Sequence, residues 1–147
     1  MKIRKFKLDD AKELNVIISD CLLNVNSKDY SKKVISNMLS HYSISKIITS
    51  SKEKNIYVLE DLNKIIGTIC ISENQIYSLY VSPFSFKKGL GSKLVFFAEE
   101  EIKKNFSSVI IYSSLTAINF YSKLGYKKIK NHNSDFFGSS IKMEKLF

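Results

Sequence analysis

Ile76-Tyr77-Ser78-Leu79-Tyr80-Val81-Ser82, then Pro83-Phe84-Ser85-Phe86-Lys87-Lys88, then Gly89-Leu90-Gly91-Ser92 is the stretch on which the reading of this chain turns. A β-rich run ends at the chain's single proline, and a glycine pair opens a long amphipathic helix. Glycine lets backbone approach a ligand closely. The first turn of a helix has N–H groups without intrahelical partners, and its dipole favours an anion there. Lys87 and Lys88 add positive charge beside those donors. The combination suits a phosphate or pyrophosphate. Two known phosphate loops do not fit. The P-loop needs glycine where Phe86 stands, and the dinucleotide fingerprint needs a third glycine where Leu94 stands, with an acidic residue after the next strand. Taken alone, the loop suits a phosphate seat and a ligand-free turn equally.

Working outward, residues 2–7 read as a strand, with Asp9 or Asp10 capping the helix that follows. Ala11, Leu14, Ile17, Ile18, Cys21, Leu22 and Val25 fall on one face of that helix. A second helix spans Ser31–Tyr42, with an extension through Ile47 and Ile48 left open. The period then changes. Residues 55–62 and 64–72 form a hairpin about Asn63, and 75–82 is a third strand. After the glycine loop come a helix over Leu90–Asn105, a strand over Ser107–Ser113, a short helix Ala117–Leu124 stopped by Gly125, and two strands near 126–131 and 139–146. The order β-α-α-β-β-β-α-β-α-β-β predicts an α/β (α+β) chain. Its central sheet is mixed and mostly antiparallel, with helices on both faces and one parallel crossover between 75 and 113.

The 147 residues suit one domain over 1–147, with no repeat or Pro/Gly-rich linker to divide it. No apolar run approaches the roughly 20 residues of a membrane helix, and the N-terminus lacks a signal-peptide centre. A soluble, cytoplasmic protein without membrane contact is expected. Cys21 and Cys70 read as small buried hydrophobes. His41 and His132 stand far apart in sequence, so no metal centre is expected. The net charge of +9 suits a polyanionic partner or a phosphate-bearing cofactor. Scattered lysines rather than a basic stripe count against nucleic acid and fit plain solubility.

The loop has a companion. Leu79–Pro83 with Lys88–Leu94 resembles the acetyl-CoA segment of the GNAT N-acetyltransferases, usually Gln/Arg-x-x-Gly-x-Gly/Ala. Ala117-Ile118-Asn119-Phe120-Tyr121-Ser122-Lys123-Leu124-Gly125-Tyr126 is similar to that family's Ala-x-x-Phe-Tyr-x-Lys-x-Gly-Phe stretch. Order and separation match, and so does the element order of the whole chain. The resemblance implies a GNAT-like fold and acetyl-CoA as co-substrate, with no metal. It also implies direct transfer to a primary amine, small or on a protein, and allows a homodimer.

On residues, it implies that the strand before the loop splays from its neighbour, so that backbone of Leu79, Tyr80 and Val81 meets the pantetheine. The pyrophosphate would lie on the N–H groups of Lys87, Lys88, Gly89, Leu90, Gly91 and Ser92. Tyr121 would protonate the leaving thiolate, and Asn119, near it, could contact the cofactor. The chain departs from the pattern at Phe86, where Gln or Arg is usual, and at Ser114, where many members have Asn. Serine still hydrogen-bonds, over a shorter reach.

Acetyl transfer needs a polarised carbonyl, a neutral amine and a proton for the thiolate. The Val81 N–H is the candidate for polarising the carbonyl. Tyr121, whose phenol ordinarily titrates near ~10, is the candidate acid; it also shares a helical face with Ala117, Phe120 and Leu124, as a core aromatic would. No residue stands out as base. The strand carries Gln75, Tyr77, Ser78 and Tyr80 rather than a carboxylate, Glu73 sits at its start, and Glu60 and Asp61 lie by the hairpin. Tyr77 or Tyr80 could relay a proton, or the amine could arrive neutral. His41 and the segment around His132 could border the acceptor. Asp9, Asp10, Glu13, Asp20, Asp29, Glu60 and Asp61 could draw a cationic amine or be solvated faces. A non-catalytic acyl-CoA-binding module on the same scaffold is the alternative.

Overall fold

The structure is a computed structural model and describes residues 1–85 and 89–147; Lys87 and Lys88 therefore lie outside the described residues. The elements run β1 (Lys2–Lys5), α1 (Ala11–Asn24), α2 (Lys32–His41), α3 (Ile44–Glu53), β2 (Asn55–Asp61), β3 (Lys64–Ser72) and β4 (Gln75–Val81). Then follow α4 (Leu90–Lys103), β5 (Ser108–Ser114), α5 (Ile118–Lys123), β6 (Lys127–Ser134) and β7 (Gly138–Leu146). The seven strands form one sheet in the order β1-β2-β3-β4-β5-β7-β6. Every pairing is antiparallel except β4 with β5. The predicted mixed, mostly antiparallel sheet between helical layers is the architecture observed.

Each face of the sheet holds its own core. Leu14, Ile18 and Leu22 of α1 pack with Ile47 of α3 onto Val58 and Ile65. On the opposite face Leu94, Val95, Ala98 and Ile102 of α4 pack with Tyr121 and Tyr126 onto Leu59, Ile69, Ile76, Val109, Ile111 and Met143. The strands alternate in whom they face, so one sheet buries two apolar layers.

The second helix ends as expected near Tyr42, and the extension left open is not made: α2 stops at His41 and a new helix begins at Ile44, which carries Ile47 and Ile48. Ser43 breaks the run. It adopts an extended conformation, and its hydroxyl accepts from the Lys46 N–H at 3.4 Å, a weak N-cap. The hairpin about Asn63 forms as expected. Leu62 and Asn63 both have positive φ, 49° and 64°, the geometry of a two-residue primed turn.

The feature that positions the site is a divergence within the sheet. Parallel pairing of β4 and β5 covers only Gln75↔Ile110 and Ile76↔Ile111. At that point β4 bulges: Ile76 faces Ile71 and Ser78 faces Cys70, leaving Tyr77 as the extra residue. A bulge bends and twists its strand. Beyond it β4 stays with β3 as far as Val81, β5 stays with β7 as far as Ser114, and the two pairs part.

Candidate active site

The divergence opens a cleft of about 380 Å³. Tyr77 to Val81 form one wall, Ile111 to Ser114 the other, and Gly89 to Ser92 with Phe120 and Tyr121 close one end. Cys21 of α1 and Val25, just past its end, reach it from the opposite face of the sheet. Of the residues singled out from sequence, Leu79, Tyr80, Val81, Gly89, Leu90, Gly91, Ser92, Ser114 and Tyr121 all line this one cleft. Asn119 is exposed on α5 and is not among the lining residues.

The strand's contribution follows from its pleat. The Ser82 N–H donates to the Ile66 carbonyl at 2.8 Å. Backbone groups of an antiparallel strand alternate in direction, so Tyr80 is turned to β3 as Ser82 is, while Leu79 and Val81 are turned to the cleft. The Val81 carbonyl bears this out: it accepts from the Cys21 thiol at 3.0 Å. Past Ile76, β5 offers these groups no pairing. Tyr80 thus meets the cleft with its side chain, whereas Leu79 and the Val81 N–H meet it with free main chain.

At the cleft's end, Gly89 caps α4 with φ 68° and ψ 19°, the left-handed conformation that glycine adopts without steric cost. The first intrahelical bond is Lys93 N–H to the Gly89 carbonyl, so the amides of Leu90, Gly91 and Ser92 precede the helical ladder. A side chain on Gly91 would press the Phe120 ring at 3.2 Å, so its glycine lets α4 and α5 approach.

Tyr121 is 3% exposed, edge-on to Phe120 and Tyr126. No described residue hydrogen-bonds its hydroxyl, and burial pushes the phenol above its ordinary value, so it stays protonated. Its backing is rigid. The Tyr121 carbonyl accepts from the Tyr126 N–H at 3.1 Å. The Tyr126 hydroxyl in turn donates to buried Glu99 at 2.8 Å, and Lys145 closes the same carboxylate at 3.1 Å. A buried carboxylate is tolerated when so satisfied.

A second cavity, about 450 Å³, lies on the α1–α3 side. It shares Tyr77, Ser78, Tyr80, Tyr112 and Ser114 with the first, so the two meet where the strands part. At this junction the Tyr42 and Ser78 hydroxyls are 2.9 Å apart, with the Tyr80 ring edge-on to Tyr42 at 5.5 Å. His41 and His132 both line the second cavity. Burial first, then the charges of Lys46 and Lys54, push the His41 imidazole below its ordinary value and leave it neutral near pH 7.

Sequence reasoning did not find Cys21, Tyr42, Lys46, Lys54 or Tyr112 as lining residues, and no local pattern marks them. Four of the acidic residues weighed as an attraction for a cationic amine, Asp10, Glu13, Asp29 and Glu60, are engaged elsewhere. Asp10 and Glu60 pair with Arg4, Glu13 accepts from the Ile65 N–H, and Asp29 accepts from Thr116. Among the described residues no cluster of His, Cys, Asp and Glu could hold a metal ion, and no helix is long and apolar enough to cross a membrane.

A sheet parted between a bulged strand and its parallel neighbour, with a glycine-capped helix facing the gap, is the arrangement that the GNAT resemblance implied. The acetyltransferase (GNAT) domain model matches residues 18–147. The chain belongs to the GNAT acetyltransferase family. A GCN5-related N-acetyltransferase from Rhodopseudomonas palustris has a similar structure, with a TM-score of 0.93 at 16% identity over 99% of this chain and 95% of that one. The PaiA N-acetyltransferase from Thermoplasma acidophilum, solved with coenzyme A, matches at a TM-score of 0.81 and 24% identity over 99% of this chain and 98% of the other. An aminoglycoside 6'-N-acetyltransferase complexed with coenzyme A matches at 0.70 and 15%, over 99% and 97%. Family and fold together support acyl transfer from coenzyme A.

Proposed function

We propose that this chain is an N-acetyltransferase that moves the acetyl group of acetyl-CoA directly to a primary amine, both substrates being bound at once. The observation that supports this most is the junction of the two cavities at the parted strands, which lets a thioester and an amine meet from opposite sides of the sheet. The donor set fits the cofactor. Free amides of Leu90, Gly91 and Ser92 suit a pyrophosphate, Leu79 and Val81 offer main-chain partners to an extended amide chain, and Ser114 offers a hydroxyl. Lys87 and Lys88, just before this helix in the chain, supply charge for the same anion.

Acetyl-CoA supplies a thioester whose carbon accepts the amine nitrogen while the C–S bond breaks. The Val81 N–H, facing the cleft, polarises the carbonyl oxygen. Tyr121 gives its proton to the departing sulfur. Burial keeps that proton on the phenol near neutral pH and raises the basicity of a thiolate in the same surroundings, which offsets the rise of the phenol. For the proton released by the amine, His41 is a wall residue of the acceptor cavity held neutral near pH 7. Asn119, exposed on α5, is left as an outer contact to the cofactor.

Calorimetry with acetyl-CoA, followed by thiol release over a panel of primary amines, tests this reading. Micromolar binding with amine-dependent release supports it. Binding without release over the whole panel would favour a non-catalytic acyl-CoA module.

A further inference from the structure

The second cavity is lined by Lys46 and Lys54 with His41 and His132, and by no carboxylate among the described residues. Neither lysine makes an ion pair among the described residues. Lys54 instead rests its ammonium 3.8 Å over the ring of Tyr77, the bulge residue at the junction. Such a contact leaves the outward side of the ammonium free for an anion. Asp29, in the neighbouring loop, is occupied by Thr116. A polycation entering this cavity would meet like charge without compensation.

We infer that the acceptor is a small primary amine that also carries an anionic group, a carboxylate or a phosphate, which Lys46 and Lys54 hold while the amine points to the parted strands. The inference rests on the acetyl transfer proposed above and names its substrate class. The volume of about 450 Å³ suits a small molecule, and the rings of Tyr42, Tyr77 and Phe137 offer its body an apolar wall. Burial and this positive field together disfavour the ammonium form of the bound amine, as burial first and then the field of Lys46 and Lys54 disfavour the imidazolium of His41. This accounts for a cavity without a carboxylate base: the amine loses its proton on entry more readily than in water. The acetyl group then replaces one N–H hydrogen, which passes to the neutral His41, and the thiol leaves with the proton from Tyr121, whose phenolate regains one from solvent.

The test is a panel of matched amines read by thiol release: L-phenylalanine against 2-phenylethylamine, L-lysine against cadaverine, O-phosphoethanolamine against ethanolamine, and spermidine as the polycation. The first two pairs report a carboxylate and the third a phosphate. At low salt the anionic member of at least one pair is expected to have a kcat/KM about 10-fold or more above its partner, narrowing as salt screens the lysines. The double variant K46M/K54M should abolish that ratio without changing acetyl-CoA affinity, and K54R should retain it. Equal or reversed ratios, turnover of spermidine above every anionic amine, or a ratio untouched in K46M/K54M would overturn the inference. Acetyl-CoA calorimetry on the same protein separates the two failures. Heat from acetyl-CoA with no anionic preference sinks the substrate class alone, whereas no heat sinks the transferase reading and this inference together.

Discussion

The Cys21 thiol donates to the Val81 carbonyl at 3.0 Å, tying α1 to the strand edge that the parted sheet leaves free. One main-chain group of that edge is thereby committed to the protein, while the amide of the same residue stays available to a ligand. The bond also fixes the thiol. Burial first, then the nearby Asp20 charge, push it up to about 12. Burial likewise pushes Cys70 up to about 11.

Both cysteines should therefore resist thiol reagents in the native state, since the thiolate is the reactive form. Ellman's reagent at pH 8 is expected to titrate both quickly in guanidinium and neither within the same minutes in buffer. Rapid reaction of the folded protein would contradict the burial of Cys21.

Gly89→Glu should abolish acetyl-CoA binding. No described residue beyond its chain neighbours lies within 4 Å of a Cβ placed on Gly89, so none of them opposes the new side chain sterically. It would carry negative charge into the mouth of the phosphate seat and strain a left-handed backbone position at φ 68°. Calorimetry should register at least a ~100-fold loss of affinity, the order expected when about 3 kcal/mol of anion contacts becomes repulsion, with the fold intact by circular dichroism.

Tyr121→Phe removes a hydroxyl that no described residue bonds, so stability and acetyl-CoA affinity should hardly change. Turnover should fall by about 100-fold or more, the usual contribution of a positioned acid. Unaltered kcat in the variant would show that the thiolate takes its proton from elsewhere.

The Arg4–Asp10–Glu60 cluster makes a prediction about acid. Burial works to raise the Asp10 carboxyl, but hydrogen bonds from Arg4 and from the Lys7 N–H outweigh it, and the group sits below its ordinary 3.8. A carboxyl depressed by folding stabilises the native state above its unfolded pKa, and that stability drains away as pH falls through the folded value. Chemical denaturation should thus show stability level above about pH 5 and falling below about pH 4. Asp10→Asn should cost about 1–3 kcal/mol at pH 7 and flatten that acid slope.

Leu62 stands 89% exposed at φ 49° in the β2–β3 turn. A branched side chain gains nothing there and strains the backbone. Leu62→Asn, with Asn63→Gly beside it, should raise the unfolding free energy by about 1–2 kcal/mol, measurable as a higher denaturation midpoint at constant slope.

Much of this chain is local physics written in order. The alternation of apolar residues sets helix and strand. The Gly89-Leu90-Gly91 start of α4 and the Asn63 hairpin are local backbone demands, and Tyr121 is legible from its segment. Locality also explains the question left open at Ser43, where an apolar period running past Tyr42 hid an N-cap that begins a new helix. The sheet decided what no window could. A single bulge at Tyr77 sends β4 away from β5 and selects Leu79 and Val81, but not Tyr80, as main-chain partners. Lys46, Lys54, His41 and His132 come from different elements and acquire common meaning only around one cavity. Local conformation needs neighbours along the chain, whereas a field or a cavity is a sum over residues distant in sequence, and packing alone performs that sum.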